Sequence, residues 1–393
     1  MTASTRFPTD DANEQPPSLG DMMHASPWRA PVTLALLATN ILVFITMLGF
    51  GAGLWHTSNT VQLTWGANFG PATQDGQWWR LATALFLHFG VVHLALNMWA
   101  LWDVGRLVEQ LYGRWRFALL YLASGVFGNL LSLVLQGNRA VSGGASGAVF
   151  SLYGALLVFL WRERNHVPRH EFRWLFGAAI VFTVVTLGMG LVIPGIDNAA
   201  HVGGLVCGAV LAQLLARRWE GNNIGPGVRS RVAAAGLLVA GAVGLVTHIP
   251  APSYRMGDEL RAQQAIRKFL IEDRVLSQRW DALLDSGRRE QLSFDQLAGV
   301  IDTRITAEYQ GNFEQLSQLR LEPAAPSAKT LEMLLKYATL RGDASHALAE
   351  GLRSKDGDKV RKAIENARQA PLIARGVSAP ASAPAPAASA RRP

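Results

Sequence analysis

Apolar runs near bilayer-spanning length punctuate the first 250 residues, at roughly 31–50, 85–104, 116–136, 146–161, 174–194, 199–216 and 232–249. A hydrocarbon core about 30 Å thick is crossed by about 20 such residues, fewer where a helix end is sheltered by protein. The pattern therefore predicts about seven transmembrane helices. After Pro250 the rhythm changes. Ile266, Phe269, Leu270, Leu276, Trp280, Leu283 and Leu284 recur at helical spacing among charged residues, and amphipathic stretches follow near 294–309, 329–340 and 344–370. This predicts a small helical extramembrane domain over 251–376. Residues 1–27 are polar, carry Asp10, Asp11, Glu14 and Asp21, and lack the features of a signal peptide, so a disordered leader is expected. The Ala, Pro and Ser tail at 377–393 is expected to be disordered as well.

Orientation follows from arginine, because short cytoplasmic loops retain positive charge. The connection after the second run carries Arg106, Arg114 and Arg116, that after the fourth Arg162, Arg164, Arg169 and Arg173, and that after the sixth Arg217, Arg218, Arg229 and Arg231. The alternate loops hold little beyond Arg80 and Arg139. The leader is then cytoplasmic, and an odd span count puts the chain after Pro250 on the outer side. Trp78, Trp79, Trp115, Trp161, Trp174 and Trp219 fall near expected helix ends, where amphipathic rings settle. The net charge of +8 is spread over these membrane-flanking loops, with no basic and aromatic patch that would mark nucleic-acid binding. The single cysteine, Cys207, excludes an internal disulfide and reads as a packing residue in mid-span.

Reactive side chains interrupt this hydrocarbon pattern. Gly144-Ala145-Ser146-Gly147 opens the fourth run, and Ala200-His201 opens the sixth. Ionisable groups inside a membrane are costly, so a serine and a histidine at equivalent depths point to nucleophile and base. Small residues recur every fourth position at Gly147, Ser151 and Ala155, and at Ala200, Gly204, Gly208, Ala212 and Ala216. Such stripes let backbones approach closely, and parallel packing would bring Ser146 and His201 to the same end. The plainer alternative is that these glycines serve packing alone. His93 and Asn97 share a helical face in the second run and could donate hydrogen bonds to a developing oxyanion, or simply bond helix to helix. A metal site at His88, His93 and His201 is the weaker functional reading, since His88 and His93 lie on different faces and no carboxylate or cysteine accompanies them. The fourth run is shorter than the hydrocarbon is thick, so its start should lie below the outer surface, with the polar segment from Gly137 to Gly144 dipping into the protein around a wet cavity.

Over about residues 78–216 the chain resembles the rhomboid intramembrane serine proteases, through Trp79-Arg80, His88, the segment from His93 to Asn97, Gly144-Ala145-Ser146-Gly147, and Ala200-His201 with Gly204 and Gly208. The resemblance implies an all-α polytopic bundle of the rhomboid type, with a six-span catalytic core over 28–220 and a further span within 221–250. It implies Ser146 as nucleophile, His201 as base and then acid, and His93, Asn97 and the Ser146 amide as oxyanion donors. Gly144, Gly147, Phe150, His88 and Gly204 would support them, while Arg80, Glu109 and Gly113 would be structural. Some relatives carry a tyrosine four residues after the serine. Here Phe150 stands there, which preserves stacking on the base without hydrogen bonding, and Tyr153 lies on another face. Asp197 falls in the outer loop, so a Ser-His dyad is expected rather than a triad. No cofactor and no metal are implied. The expected partners are transmembrane protein substrates and the lipid bilayer, in a bacterial inner membrane, with a catalytically silent scaffold for transmembrane helices as the alternative. A transporter would show matching broken spans in two halves, and none is visible.

Overall fold

The computed structural model describes residues 18–216, 227–289 and 292–376. Two compact units divide between Pro252 and Ser253. In the first, α1 (Leu19–His24) and a 3-10 turn at Pro27–Arg29 precede α2 (Pro31–Gly49). Two short helices, α3 (Asn59–Trp65) and α4 (Gly70–Thr73), lead to α5 (Arg80–Thr83) and α6 (Val91–Tyr112). The bundle continues through α7 (Arg114–Gln136), α8 (Ser146–Arg162), α9 (Arg169–Val192), α10 (Asn198–Leu215) and α11 (Val228–Thr247).

Among the described residues five helices are long and apolar enough to cross a membrane: α2, α7, α9, α10 and α11. α6 passes the same test when joined to the segment Arg80–Phe86, and α8 is apolar but only 17 residues long. That is about 25 Å against a hydrocarbon core of about 30 Å. Together these seven correspond to the seven apolar runs. The chain is an integral membrane protein with an all-helical polytopic bundle, and the exposed apolar side chains of α2, α9 and α11 form its lipid-facing surface. Trp115, Trp161 and Trp174 are exposed near helix ends, while Trp219 lies outside the described residues.

Three sequence expectations shift. The second span does not run from 85 to 104, because the chain bends by 91° between Phe86 and Val91. At the bend the Val91 amide donates to the Leu54 carbonyl, and a β-carbon on Gly90 would stand 2.1 Å from the Trp55 carbonyl oxygen, so only glycine allows this approach. α6 then continues to Tyr112 and stops at Gly113, whose φ of +82° favours glycine. Arg106 therefore sits within the helix, its guanidinium 4.2 Å from the Trp102 ring centroid. The second shift concerns the leader, which is ordered from Ser18. The Ser18 hydroxyl caps α1 by accepting from the Asp21 amide, Leu19 is buried, and its amide donates to Glu171 at 3.0 Å. Residues 1–17, like the tail at 377–393, lie outside the described residues.

The third shift is in the second unit, made of α12 (Met256–Arg288), α13 (Phe294–Ile301), a π turn at Asp302–Thr306, α14 (Ala307–Ser317), α15 (Ala328–Arg353) and α16 (Gly357–Ala374). The break expected between 340 and 344 does not exist. α15 runs through it and ends before Lys355, whose φ is +54°. Arg341, within this stretch, is buried. It donates to the Tyr309 hydroxyl at 2.9 Å and to the Ala367 carbonyl at 3.3 Å, and stacks 5.0 Å from the Trp280 ring. Tyr309 and Tyr337 both donate to Asp273 at 3.0 Å, and burial pushes both phenols above their ordinary titration range. Of the expected stripe, Phe269, Leu276 and Trp280 are buried, whereas Leu270 is exposed, being a third of a turn off the face that Phe269 lays down.

In the membrane unit α10 packs against both α7 and α8 through glycines. A β-carbon at Gly204 would stand 1.9 Å from the Gly147 carbonyl oxygen, one at Gly208 2.3 Å from that of Ser151, and one at Gly154 2.3 Å from that of Leu205. On the other side, a β-carbon at Gly128 would stand 2.5 Å from the Ala200 carbonyl oxygen. Rigid backbone lies at each of these points, so nothing can rotate away. Gly236 on α11 has nothing within 4 Å of the same position. Gly204→Ala should therefore destabilise the detergent-solubilised protein by about 1–3 kcal/mol or more, as overpacking does, whereas Gly236→Ala should leave the thermal unfolding midpoint within error of wild type. Equal midpoints for the two variants would show that the α8 and α10 backbones are not in contact.

Candidate active site

Ser146 is the first residue of α8, so its amide and those of Gly147 and Ala148 precede the first intrahelical acceptor pairing, which joins the Val149 amide to the Ala145 carbonyl. The helix dipole adds partial positive charge at the same end. The approach to Ser146 is fixed by backbone bonds. Ser142 exchanges two hydrogen bonds with Asn68, each 2.9 Å, and the Gly144 amide donates to the Ala84 carbonyl at 2.8 Å. These pairings give the Ser142 and Gly144 amides acceptors where the segment enters the protein. Gly144 has φ +146°, and a β-carbon there would stand 2.9 Å from His93 Cε1. Glycine at that position thus keeps open a gap bounded by His93 and Ser146.

His201 lies at the corresponding turn of α10, buried, with Nε2 2.8 Å from Ser146 Oγ. For Nε2 to accept from the hydroxyl, a neutral imidazole must carry its proton on Nδ1, which has no hydrogen-bond partner. Phe150, one turn beyond Ser146, stacks on the imidazole with centroids 4.4 Å apart and planes 3° from parallel. Tyr153 points elsewhere and stacks on Phe182 of α9 at 4.0 Å.

From α6, His93 approaches the same gap. The point where a Gly144 β-carbon would stand lies 3.0 Å from His93 Nε2 and 3.7 Å from Ser146 Oγ. The Phe89 amide donates to His93 Nδ1 at 3.4 Å, which leaves the proton of a neutral ring on Nε2, facing the gap. His88 is buried, and its ring meets His93 edge to face at 5.1 Å. The Gln62 side chain holds the His88 carbonyl at 2.8 Å. Asn97 is buried one turn after His93, but its amide donates to the His93 carbonyl at 2.9 Å rather than into the gap. Among the described residues, no group of three or more His, Cys, Asp or Glu side chains could hold a metal ion. Cys207 is a free, buried thiol.

Arg80 and Glu109, expected to be structural, and Asp197, expected in the outer loop, take partners that the sequence did not indicate. Arg80 is buried under the short helices, donating to the Leu63 and Ala67 carbonyls at 2.7 and 3.0 Å and to Gln77. Glu109 accepts from the Val32 and Thr33 amides and the Thr33 hydroxyl, and so caps α2 from another helix. At on the order of 1.5–3 kcal/mol for each charge-assisted bond, three such bonds offset the several kcal/mol needed to bury a carboxylate. Asp197 caps α10 through the Ala200 amide and also collects the Ser132, Gln136 and Ser142 side chains. An acidic residue just before a helical run is a readable N-cap signal. Partners 55 to 65 residues away are not.

The family model of the Rhomboid domain matches residues 75–218, the stretch that holds Arg80, His88, His93, Asn97, Glu109, Ser146, Phe150, Asp197 and His201. The rhomboid protease GluP of Bacillus subtilis is 37% identical over 224 residues, covering 57% of this chain and 41% of that protein. RHOMBOID-like protein 4 of Arabidopsis thaliana is 37% identical over 189 residues, covering 45% of each chain. Thus the chain spans less than half the length of these two relatives. The putative rhomboid protease YdcA of Bacillus subtilis is 32% identical over 192 residues, which are 48% of this chain and 91% of that one. With a relative matched over nearly its whole length, and with a serine, two histidines and a glycine-packed helix pair converging on one buried gap, the chain belongs to the rhomboid family.

Proposed function

We propose that the protein is an intramembrane serine endopeptidase that cleaves the transmembrane segments of other membrane proteins by a Ser-His dyad. The observation that carries this reading is the 2.8 Å contact between Ser146 Oγ and His201 Nε2 at the amino end of a short, buried helix. Ser146 Oγ attacks the scissile carbonyl carbon while its proton passes to His201 Nε2. The imidazolium returns that proton to the departing amine, and water, activated by the same base, then hydrolyses the acyl-enzyme. The oxyanion receives the Ser146 amide and His93 Nε2, and Asn97 joins when its amide rotates off the His93 carbonyl, since such donors often align only in the complex. Phe150 holds the imidazole in plane. A substrate helix must unwind to offer an extended bond, which helix-weakening Gly or Pro near the scissile site would ease. The reading as a silent scaffold has less support, because such a protein has no need to keep serine and histidine in hydrogen-bond contact.

The arginine-rich loops support a cytoplasmic amino terminus and an outward-facing unit after Ser253; a bacterial inner membrane is the proposed location. On this reading the second unit is a helical accessory domain on the side from which water and substrate reach Ser146.

Ser146→Ala and His201→Ala should each abolish cleavage of a model transmembrane substrate while leaving the protein folded, and the double variant should be no worse than either single one, because the two groups act as a unit. Retained cleavage by a clean Ser146→Ala preparation would refute the mechanism. Asn97→Ala should lower turnover about ten- to a thousandfold with little change in substrate binding; weakened binding at unchanged turnover would make Asn97 a substrate contact instead. Protease added outside intact spheroplasts should digest a tag at the carboxyl terminus and spare one at the amino terminus. A protected carboxyl-terminal tag would put the second unit in the cytoplasm.

A further inference from the structure

Asp197 has no place in the dyad chemistry, yet its carboxylate is the most heavily bonded side chain near the site. Oδ2 accepts from the hydroxyls of Ser132 and Ser142, each at 2.5 Å, and Oδ1 accepts from the Ala200 amide at 3.0 Å and the Gln136 side chain at 3.2 Å. Its backbone carbonyl takes the His201 amide at 3.1 Å. Among the described residues no Lys or Arg lies within ion-pair distance of it, so hydrogen bonds alone hold the charge. His201 Nδ1, which a triad carboxylate would engage, has no partner.

The donors come from separate parts of the bundle. Ser132 and Gln136 belong to α7, while Ala200 is in the first turn of α10, next to His201. Ser142 stands four residues before Ser146, in the segment that the Asn68 bridge and the Ala84 carbonyl also hold. One carboxylate therefore ties the stretch of chain that delivers the nucleophile to the turn that carries the base. The glycine contacts fix how far apart α8 and α10 lie, but a stripe of small residues resists sliding along the helix axis less than it resists approach. The Asp197 cluster removes that remaining freedom at the end where the reaction takes place.

We propose that Asp197 is a positioning residue, setting the register of Ser146 against His201 through Ser142 and the first turn of α10. This role rests on the protease reading above. The test uses the full chain in detergent, with two readouts: kcat and KM on a model transmembrane substrate, and the rate at which a fluorophosphonate probe modifies Ser146. Asp197→Ala should lower kcat about a hundredfold and the labelling rate in parallel, with KM within about threefold, as expected for displaced reacting groups. Asp197→Asn keeps an acceptor for the Ala200 amide, and asparagine caps helices as well as aspartate does. It should unfold near the wild-type temperature and still lose about tenfold in kcat.

The decisive comparison is between the two serines, which give up the same bond to the same oxygen. Ser142→Ala should lower kcat about tenfold or more, and Ser132→Ala less than about threefold. If both lose kcat equally and in step with their unfolding temperatures, or if Asp197→Asn turns over like wild type, Asp197 is a structural cap and the proposal is wrong. A wild-type protein that neither cleaves nor takes the probe would overturn the protease reading itself, a result distinct from an active wild type with active Asp197 variants.

Discussion

The membrane unit depends on backbone contact between α8 and α10. In lipid no hydrophobic force drives helices together, so association rests on packing and on whatever polar bonds the helices share. Gly154, Gly204 and Gly208 bring carbonyl oxygens of one helix against α-carbons of the other, at separations no larger residue permits, and Gly147 meets the Ala200 carbonyl nearly as closely. Individual atom contacts contribute only about 0.1–0.2 kcal/mol, but two helices meeting along several turns gather many of them. The same contact sets the separation of Ser146 and His201, since Ser146 stands beside Gly147 and His201 beside Ala200, at the amino ends of their helices and stripes. Reactive geometry here is a by-product of close packing.

Close packing leaves polar groups to satisfy, and the loops resolve this with their own backbone. The segment 137–144 pairs with residues 68–70 and with Ala84, while Asn68 and Asn129 extend the network to the Asn129 and Leu81 carbonyls at 3.0 and 2.8 Å. A chain that descends to a short helix thereby pairs its Ser142 and Gly144 amides, each of which would cost on the order of a few kcal/mol if left without an acceptor in a low-dielectric setting. The bend before α6 follows the same logic: Gly90 admits the Trp55 carbonyl, and the turn carries His93 to the gap from a third direction.

In the membrane unit the buried Glu109 and the half-buried Asp197 serve as acceptors for backbone amides and hydroxyls, while the buried Glu163 pairs with Arg162 at 2.8 Å. The second unit uses both devices: the buried Glu259 accepts from the Ser327 amide and hydroxyl at 3.1 and 2.6 Å, and opposite charges are joined elsewhere. There Arg341 and Asp273 are linked through the Tyr309 hydroxyl, and aromatic faces cover the guanidinium.

The sequence by itself determined the apolar runs, the small-residue stripes and the positions of Ser146 and His201 at matching ends of two spans, because these are local or periodic properties written at intervals of three to four residues. It also placed Phe150 one turn from Ser146, on the face that reaches the imidazole. Tertiary structure decided the bend at Gly90, the order from Ser18 onward, the continuity of α15 through Arg341, the direction in which the Asn97 amide points, and the gathering of Ser132, Gln136, Ser142 and Ala200 around Asp197. All but the Asn97 amide, whose acceptor lies one turn back at His93, depend on a partner tens of residues away: Trp55 for Gly90, Glu171 for Leu19, Tyr309 for Arg341. Periodicity says which face of a helix is apolar. It cannot say which distant carbonyl or hydroxyl will meet a polar group on that face, and in this fold those meetings aim the reactive side chains.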